Sequence, residues 1–231
     1  GGLPLIAYRM PPRWIISHAA RRIGARFRFE KFRDPDRGMA ALDAHLDEGR
    51  IVGLQASVYW LPFFPEEMRF HFNAHNLIVY GREGDDYLIS DPVFEEPVRC
   101  PAADLRKARF TRGAMAAHGL LYYPEHVPAA IDRGRVLPKA IRANEHIMNR
   151  AHLPLVGVHG IRYLANNLVK STRSREGRRR LPLYLTHIVR MQEEIGTGGA
   201  GFRFVYASFL QEASDALGDE RLASAADSLT R

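Results

Sequence analysis

Within the stretch HFNAHNLIVYGREGDDYLISDP, residues 71–92, two side chains have the types and spacing that proton transfer needs. His75 opens one apolar run and Asp91 closes the next, with the polar, glycine-containing REGDD between them. Two such runs read as a β-hairpin. Antiparallel pairing then brings the first residue of one strand close to the last residue of the other. A carboxylate against one imidazole nitrogen fixes the tautomer and stabilises the imidazolium, which leaves the other nitrogen to take a proton from a nucleophile. His75 is the candidate base and Asp91 the candidate orienting carboxylate. The same spacing also fits a hydrogen-bonded edge histidine and a turn aspartate before Pro92.

Neighbouring residues extend the candidate site. His71, Asn73 and His75 alternate, so a strand beginning at His71 would turn all three to one side, with Tyr59 or Trp60 facing the same cleft. Tyr59, His71 and Asn73 are therefore candidate substrate contacts. A metal held by His71 and His75 would need a third ligand that the pattern does not supply, and none is expected. The nucleophile is the difficulty. Cys100 is the chain's single cysteine, and VRCPAADL reads as a strand end before a helix beginning at Pro101, where a buried structural cysteine is expected. Ser17 and Ser57 have no nucleophile-elbow pattern around them.

The elements that must position these residues follow from composition and periodicity. With 231 residues, 46% of them hydrophobic, the chain can bury a sizeable core. No apolar run approaches the roughly 18 to 20 residues of a membrane span, so none is expected. One cysteine excludes an intrachain disulfide framework and fits a reducing cytoplasm, the expected location. Residues 12–23 carry apolar positions at helical spacing, and ARFRFEKF then alternates like a strand. Asp34 and Pro35 start a helix that Gly49 ends; IVGLQASVYW reads as a central strand; the hairpin follows; a helix begins near Ala102; GLLYYPE returns as a strand. Residues 1–125 thus predict an α+β domain with a largely antiparallel sheet.

From residue 126 the alternation gives way to helical spacing, and EHVPAAIDRGRVLP suits a linker. Residues 126–231 predict an all-helical domain whose apolar, aromatic faces make a homodimer reasonable. The net charge is +7, and STRSREGRRR places Arg173, Arg175, Arg178, Arg179 and Arg180 together in what reads as a polar inter-helix loop. An acidic partner suits such a cluster. No finger, basic zipper or RNP-type motif accompanies it, so nucleic acid is not expected. GTGGAG, residues 196–201, leads towards a helix near Phe202 and reads either as a tight turn or as a phosphate cradle, which makes Thr197, Gly198 and Arg203 candidate contacts.

HNLIVYGREGDDYLISDP resembles the His and Asp half of bacteriocin-processing papain-like peptidases. A wider resemblance is carried by GGLPLIAYR, YWLPFFPEEMRFHFNAHNLIVYG and EEIGTGGAGFRFVYASFLQEAS, which look like segments of the butirosin-biosynthesis protein H family. That family has a papain-like N-terminal domain followed by a helical one. The resemblance implies an acyltransferase of secondary-metabolite or lipid assembly. In such an enzyme an acyl group, held as a thioester on an acyl carrier protein, passes through an enzyme cysteine to an amine or hydroxyl acceptor. The carrier's phosphopantetheine arm would be substrate rather than bound cofactor, with Arg133, Arg135 or Arg203 at its phosphate. The arginine cluster would dock the acidic carrier. A papain-like peptidase or amidase, and a binding module that kept the fold, are the other readings. Papain-like chains run Cys, then His, then Asp or Asn, and Cys100 follows both. The resemblance places the nucleophile upstream of Gly1, unless the protein has been processed or has lost it.

Overall fold

The computed structural model describes residues 10–150, 153–194 and 199–231. Two compact units divide the chain, one from Pro11 to Ala129 and one within Ala130–Arg231. The first holds a six-stranded sheet in the order β1-β6-β2-β3-β4-β5, every pairing antiparallel. Its strands are β1 (Arg26–Glu30), β2 (Val52–Ala56), β3 (His75–Glu83), β4 (Asp86–Ser90), β5 (Val98–Pro101) and β6 (Leu121–His126). The fold class is α+β.

Helix α1 (Pro12–Ile23) starts on the second residue of the double proline, where missing N–H groups cost nothing, and stops at Gly24 in a left-handed conformation. Trp14 and Ile15 stay more than a third exposed and Ala20 is its buried residue, so its apolar spacing is only partly covered. In α2 (Pro35–Asp47), Asp34 Oδ1 accepts the Asp36 and Arg37 N–H groups, which makes it the N-cap. Strand β2 ends at Ala56, short of the predicted run, because Val58–Trp60 turns into a single 3-10 turn whose Val58 N–H donates to Phe72.

Period-two alternation assigns one face of the sheet to the core. Val52, Leu54 and Ala56 on β2 stand opposite Val79, Leu77 and His75 on β3, while Tyr87 and Ile89 on β4 continue the row to Cys100 on β5. Leu42 from α2, and Leu105 and Ala108 from α3 (Ala102–Phe110), cover this face. Tyr87 donates its hydroxyl to Asp43 of α2 at 2.7 Å, and Arg82 pairs with the same carboxylate, tying helix to hairpin.

The second unit is helical. α4 (Arg133–Glu145) runs into a π-helical turn over His146–Arg150; α5 (Gly157–Ser171) and α6 (Arg175–Val189) follow; α6 runs into a second π-helical turn, Arg190–Glu194. A core forms where α7 (Arg203–Leu217) and α8 (Glu220–Thr230) pack through Ala207, Leu210 and Ala226, with Ile141 of α4 against them. The arginine cluster is not the expected loop. Ser174 caps a helix by accepting the Gly177 N–H, so Arg175, Arg178, Arg179 and Arg180 lie on α6 and Arg173 alone sits in the turn.

Candidate active site

His75 is the first residue of β3, with its Cα opposite Ala56, and Asp91 follows the last residue of β4. Ile78 is in register with Ser90, so the two side chains meet diagonally at one end of the sheet, both on the core face. His75 Nε2 lies 2.6 Å from Asp91 Oδ2. A carboxylate oxygen only accepts, so Nε2 carries the hydrogen and donates it. Asp91 is held from behind: Oδ1 accepts the Val93 N–H at 3.0 Å and its carbonyl accepts the Phe94 N–H at 3.2 Å, an Asx turn across Pro92. Side-chain exposure is 11% for His75 and 0% for Asp91, so water competes little for this bond. Phe64 meets the imidazole edge-on at 5.4 Å, and Phe63 and Phe94 pack around Phe64. No described residue hydrogen-bonds His75 Nδ1, which is therefore the nitrogen left to receive a proton.

The other candidates divide. The strand does not begin at His71, because Phe70–Ala74 turns, with the Phe72 N–H donating to Phe70 O at 2.7 Å. His71 consequently does not share a face with His75 by alternation; it is exposed and stacks on Tyr59 at 4.1 Å. Asn73 is buried and acts as a tether: Nδ2 donates to Ala114 O, and its own carbonyl accepts from Gln55 Nε2, which also donates to Met115 O. Spacing did not reveal Gln55. Its signal was a lone amide in the apolar strand VGLQA. Asn73 Oδ1 and Ser57 Oγ are buried without a partner. On the loop between β2 and β3, a cavity of about 470 Å³ is lined by Tyr59, Trp60, Pro62, Glu66, Arg69 and Asp104. Arg69 is fixed there, donating to Phe64 O at 2.7 Å and Pro62 O at 2.9 Å. Phe64 thus joins the wall of the His75 pocket to the rim of this cavity.

Both members of the pair fall inside a family match. A family described as butirosin biosynthesis protein H, N-terminal, matches residues 1–92, and a domain of unknown function, DUF4872, matches residues 103–231. The chain belongs to the DUF4872 family, whose match covers more than half of it, and residues 1–92 are similar to the butirosin biosynthesis protein H N-terminal family. No curated protein matches it. The N-terminal family match ends one residue beyond Asp91, whereas the DUF4872 match begins inside the sheet unit and takes in nearly all of α3 and the whole of β6.

Cys100 lies apart from the His75–Asp91 pair in space as well as in sequence. It pairs with Tyr87, four residues up β4 from Asp91, a separation of about 13 Å along the strand. It is fully buried. Burial, with Asp104 and Asp86 nearby, pushes its thiol up to about 12. In the folded protein at pH 8, iodoacetamide is therefore expected to label Cys100 more than about a thousandfold more slowly than an exposed thiol. Mass spectrometry before and after guanidinium unfolding checks this; rapid native labelling would return Cys100 to the list of nucleophiles.

The remaining expected contacts belong to the second unit. Thr197 and Gly198 lie outside the described residues. Arg203 is the first residue of α7, which starts one residue later than expected because Phe202 takes a left-handed conformation. The Ala200 N–H, one of the amides expected to cradle a phosphate, donates to Glu193 Oε2 at 2.8 Å. The chain's own carboxylate occupies that position. In the arginine cluster, Arg178 donates to Thr172 O and Arg180 pairs with Glu176. Among the described residues no three His, Cys, Asp or Glu side chains gather as metal ligands, and no helix is long and apolar enough to cross a membrane.

Proposed function

We propose that the protein is an acyltransferase working through a Cys-His-Asp site on a papain-like domain, with His75 Nδ1 as base and Asp91 as the carboxylate that orients it. The supporting observation is the His75–Asp91 bond: short, buried, with Phe64 edge-on to the imidazole, and arranged so that a single ring nitrogen remains for chemistry. The proposed nucleophile is a cysteine N-terminal to the residues of this sequence, since Cys100 is sealed about 13 Å away. His75 takes the thiol proton and the thiolate attacks the thioester carbonyl of an acylated carrier protein. The C–S bond to the carrier's phosphopantetheine arm breaks, and the departing thiolate takes the proton back from His75. An amine or hydroxyl acceptor, deprotonated by the same nitrogen, then attacks the acyl-enzyme and regenerates the cysteine. Tyr59 and the cavity beside it suit the acceptor by position and size. Arg173, Arg175 and Arg179 on the second unit suit an acidic carrier surface.

Intact-mass analysis of the full-length protein after incubation with an acylated carrier protein tests this reading. A mass gain equal to the acyl group, discharged when an amine is added, is expected. Discharge to water at the same rate without amine would favour a peptidase or amidase. No mass gain, with the carrier still bound, would favour a binding module.

A further inference from the structure

The cavity on the loop between β2 and β3 is lined by charges of both signs that do not neutralise one another. Arg69 donates through Nε to Phe64 O and through Nη2 to Pro62 O, and no described carboxylate pairs with it. Both bonds lie on the Nε–Nη2 edge of the guanidinium. The Nη1–Nη2 edge keeps two parallel N–H groups, the fork that holds a carboxylate in bidentate fashion. The side chain is fixed before any ligand arrives, so little freedom is lost when one binds. Glu66 opens the single 3-10 turn Glu66–Met68, exposed and with no described cation beside it. Arg69 cannot swing to it without leaving both carbonyls. Asp104, the other carboxylate of the lining, pairs with Lys107 at 3.0 Å. The remaining wall is aromatic: Tyr59 and Trp60 meet edge to face at 5.0 Å, and His71 steadies Tyr59 by stacking on it.

We propose that this cavity binds an α-amino acid with an apolar side chain: carboxylate on the Arg69 fork, ammonium towards Glu66, side chain against Tyr59 and Trp60. Charge selects the zwitterion. A ligand with cationic groups alone faces the fixed guanidinium, and one with anionic groups alone faces Glu66 and Asp104. The volume of about 470 Å³ lies within the range of about 300–1,000 Å³ of small-molecule sites. As a substrate class this deepens the acyl-transfer reading and rests on it, the ligand being the amine acceptor. Its ammonium gives one proton to solvent. The amine nitrogen then bonds to the acyl carbon, the C–S bond to the enzyme cysteine breaks, and the second proton passes through His75 Nδ1 to the departing thiolate, leaving an N-acyl amino acid. Binding itself needs no acyl group.

Isothermal titration of the full-length protein tests the site. L-Phenylalanine and L-leucine are expected to bind at least about tenfold more tightly than phenethylamine, which lacks the carboxylate, and 3-phenylpropionate, which lacks the ammonium. Arg69→Met is expected to erase the preference for phenylalanine over phenethylamine. Because Arg69 also ties the loop, Glu66→Gln decides if that variant melts early: it removes a charge with no described partner, and is expected to weaken phenylalanine about tenfold without weakening 3-phenylpropionate. No binding of either amino acid, phenethylamine binding as tightly as phenylalanine, or unchanged phenylalanine affinity in Glu66→Gln overturns the proposal. The titration uses no acyl donor, so its failure leaves the acyl-transfer reading standing, and an absent mass gain with the acylated carrier leaves this site standing.

Discussion

Asp91→Asn is expected to lower the rate of acyl transfer by roughly 10³- to 10⁴-fold while leaving the fold in place. Asparagine keeps an oxygen for the Val93 N–H, so the Asx turn survives. The atom facing His75 Nε2 then becomes an amide NH₂ group, a donor where an acceptor stood. The imidazole answers by moving its hydrogen to Nδ1, the nitrogen proposed to accept the nucleophile's proton. Initial rates with a thioester donor measure the loss. The ¹⁵N shifts of the His75 ring measure its cause, and they report the tautomer whatever the acyl group is. A variant that keeps its rate within a few-fold, with the hydrogen shown to have moved to Nδ1, would remove Asp91 from the mechanism. His75→Gln, which deletes the base and retains bulk, is expected to be at least as damaging.

Arg109→Ala is expected to destabilise the sheet unit by about 3–5 kcal/mol. Arg109 is the bulkiest fully buried side chain in the structure. Its guanidinium donates to Gly38 O at 2.9 Å and to Gly119 O at 3.2 Å, and no described carboxylate forms an ion pair with it. Alanine strips the Gly119 carbonyl of its donor, leaves the Gly38 carbonyl with its α2 helical bond alone, and opens a void beside Phe110. Methionine fills much of the void and removes the cost of burying a charge, so Arg109→Met is expected to lose about half as much. Urea unfolding followed by tryptophan fluorescence reads this directly, because Trp14 and Trp60 both lie in this unit. Burial pulls the Arg109 group down to about 10. Between about pH 10 and its ordinary value the unfolded chain holds the proton that the folded chain has released, so this residue's contribution to stability rises with pH in that window. Cys100 has the opposite sign: its thiol is raised, and its contribution is lost as pH climbs towards 12.

Much of the candidate site was legible because β-structure has a period of two. Once HNLIV and YLIS were read as partners, His75 and Asp91 had to approach each other at one end of the sheet, and the coordinates add the 2.6 Å bond and the Asx turn behind it. The Asp34 cap was equally visible, because its side-chain bond is local. Features made by distant segments were not. Nothing near Asn73 in the chain announces Ala114 and Met115, and nothing near Gln55 announces that its amide will bridge both segments. Arg109 reads as one more surface charge until residues 38 and 119 are brought together around it. The arginine cluster misled because five cations and a glycine look like a loop, whereas one serine cap at Ser174 suffices to begin a helix.

The placement of β6 between β1 and β2 has a consequence for synthesis on the ribosome. The central strand β2 obtains its second neighbour only from residues 121–126, about seventy positions downstream, and β1 pairs with the same late strand. Until those residues emerge, a nascent chain holding the completed β2–β3–β4 sheet carries an open edge on β2, and Phe27 and Phe29 have no strand beside them. Contacts of such high sequence separation form slowly and leave pairing-competent edges exposed meanwhile. Truncation or ribosome stalling before residue 121 should therefore release a chain prone to edge-to-edge aggregation, even though His75 and Asp91 have both been made.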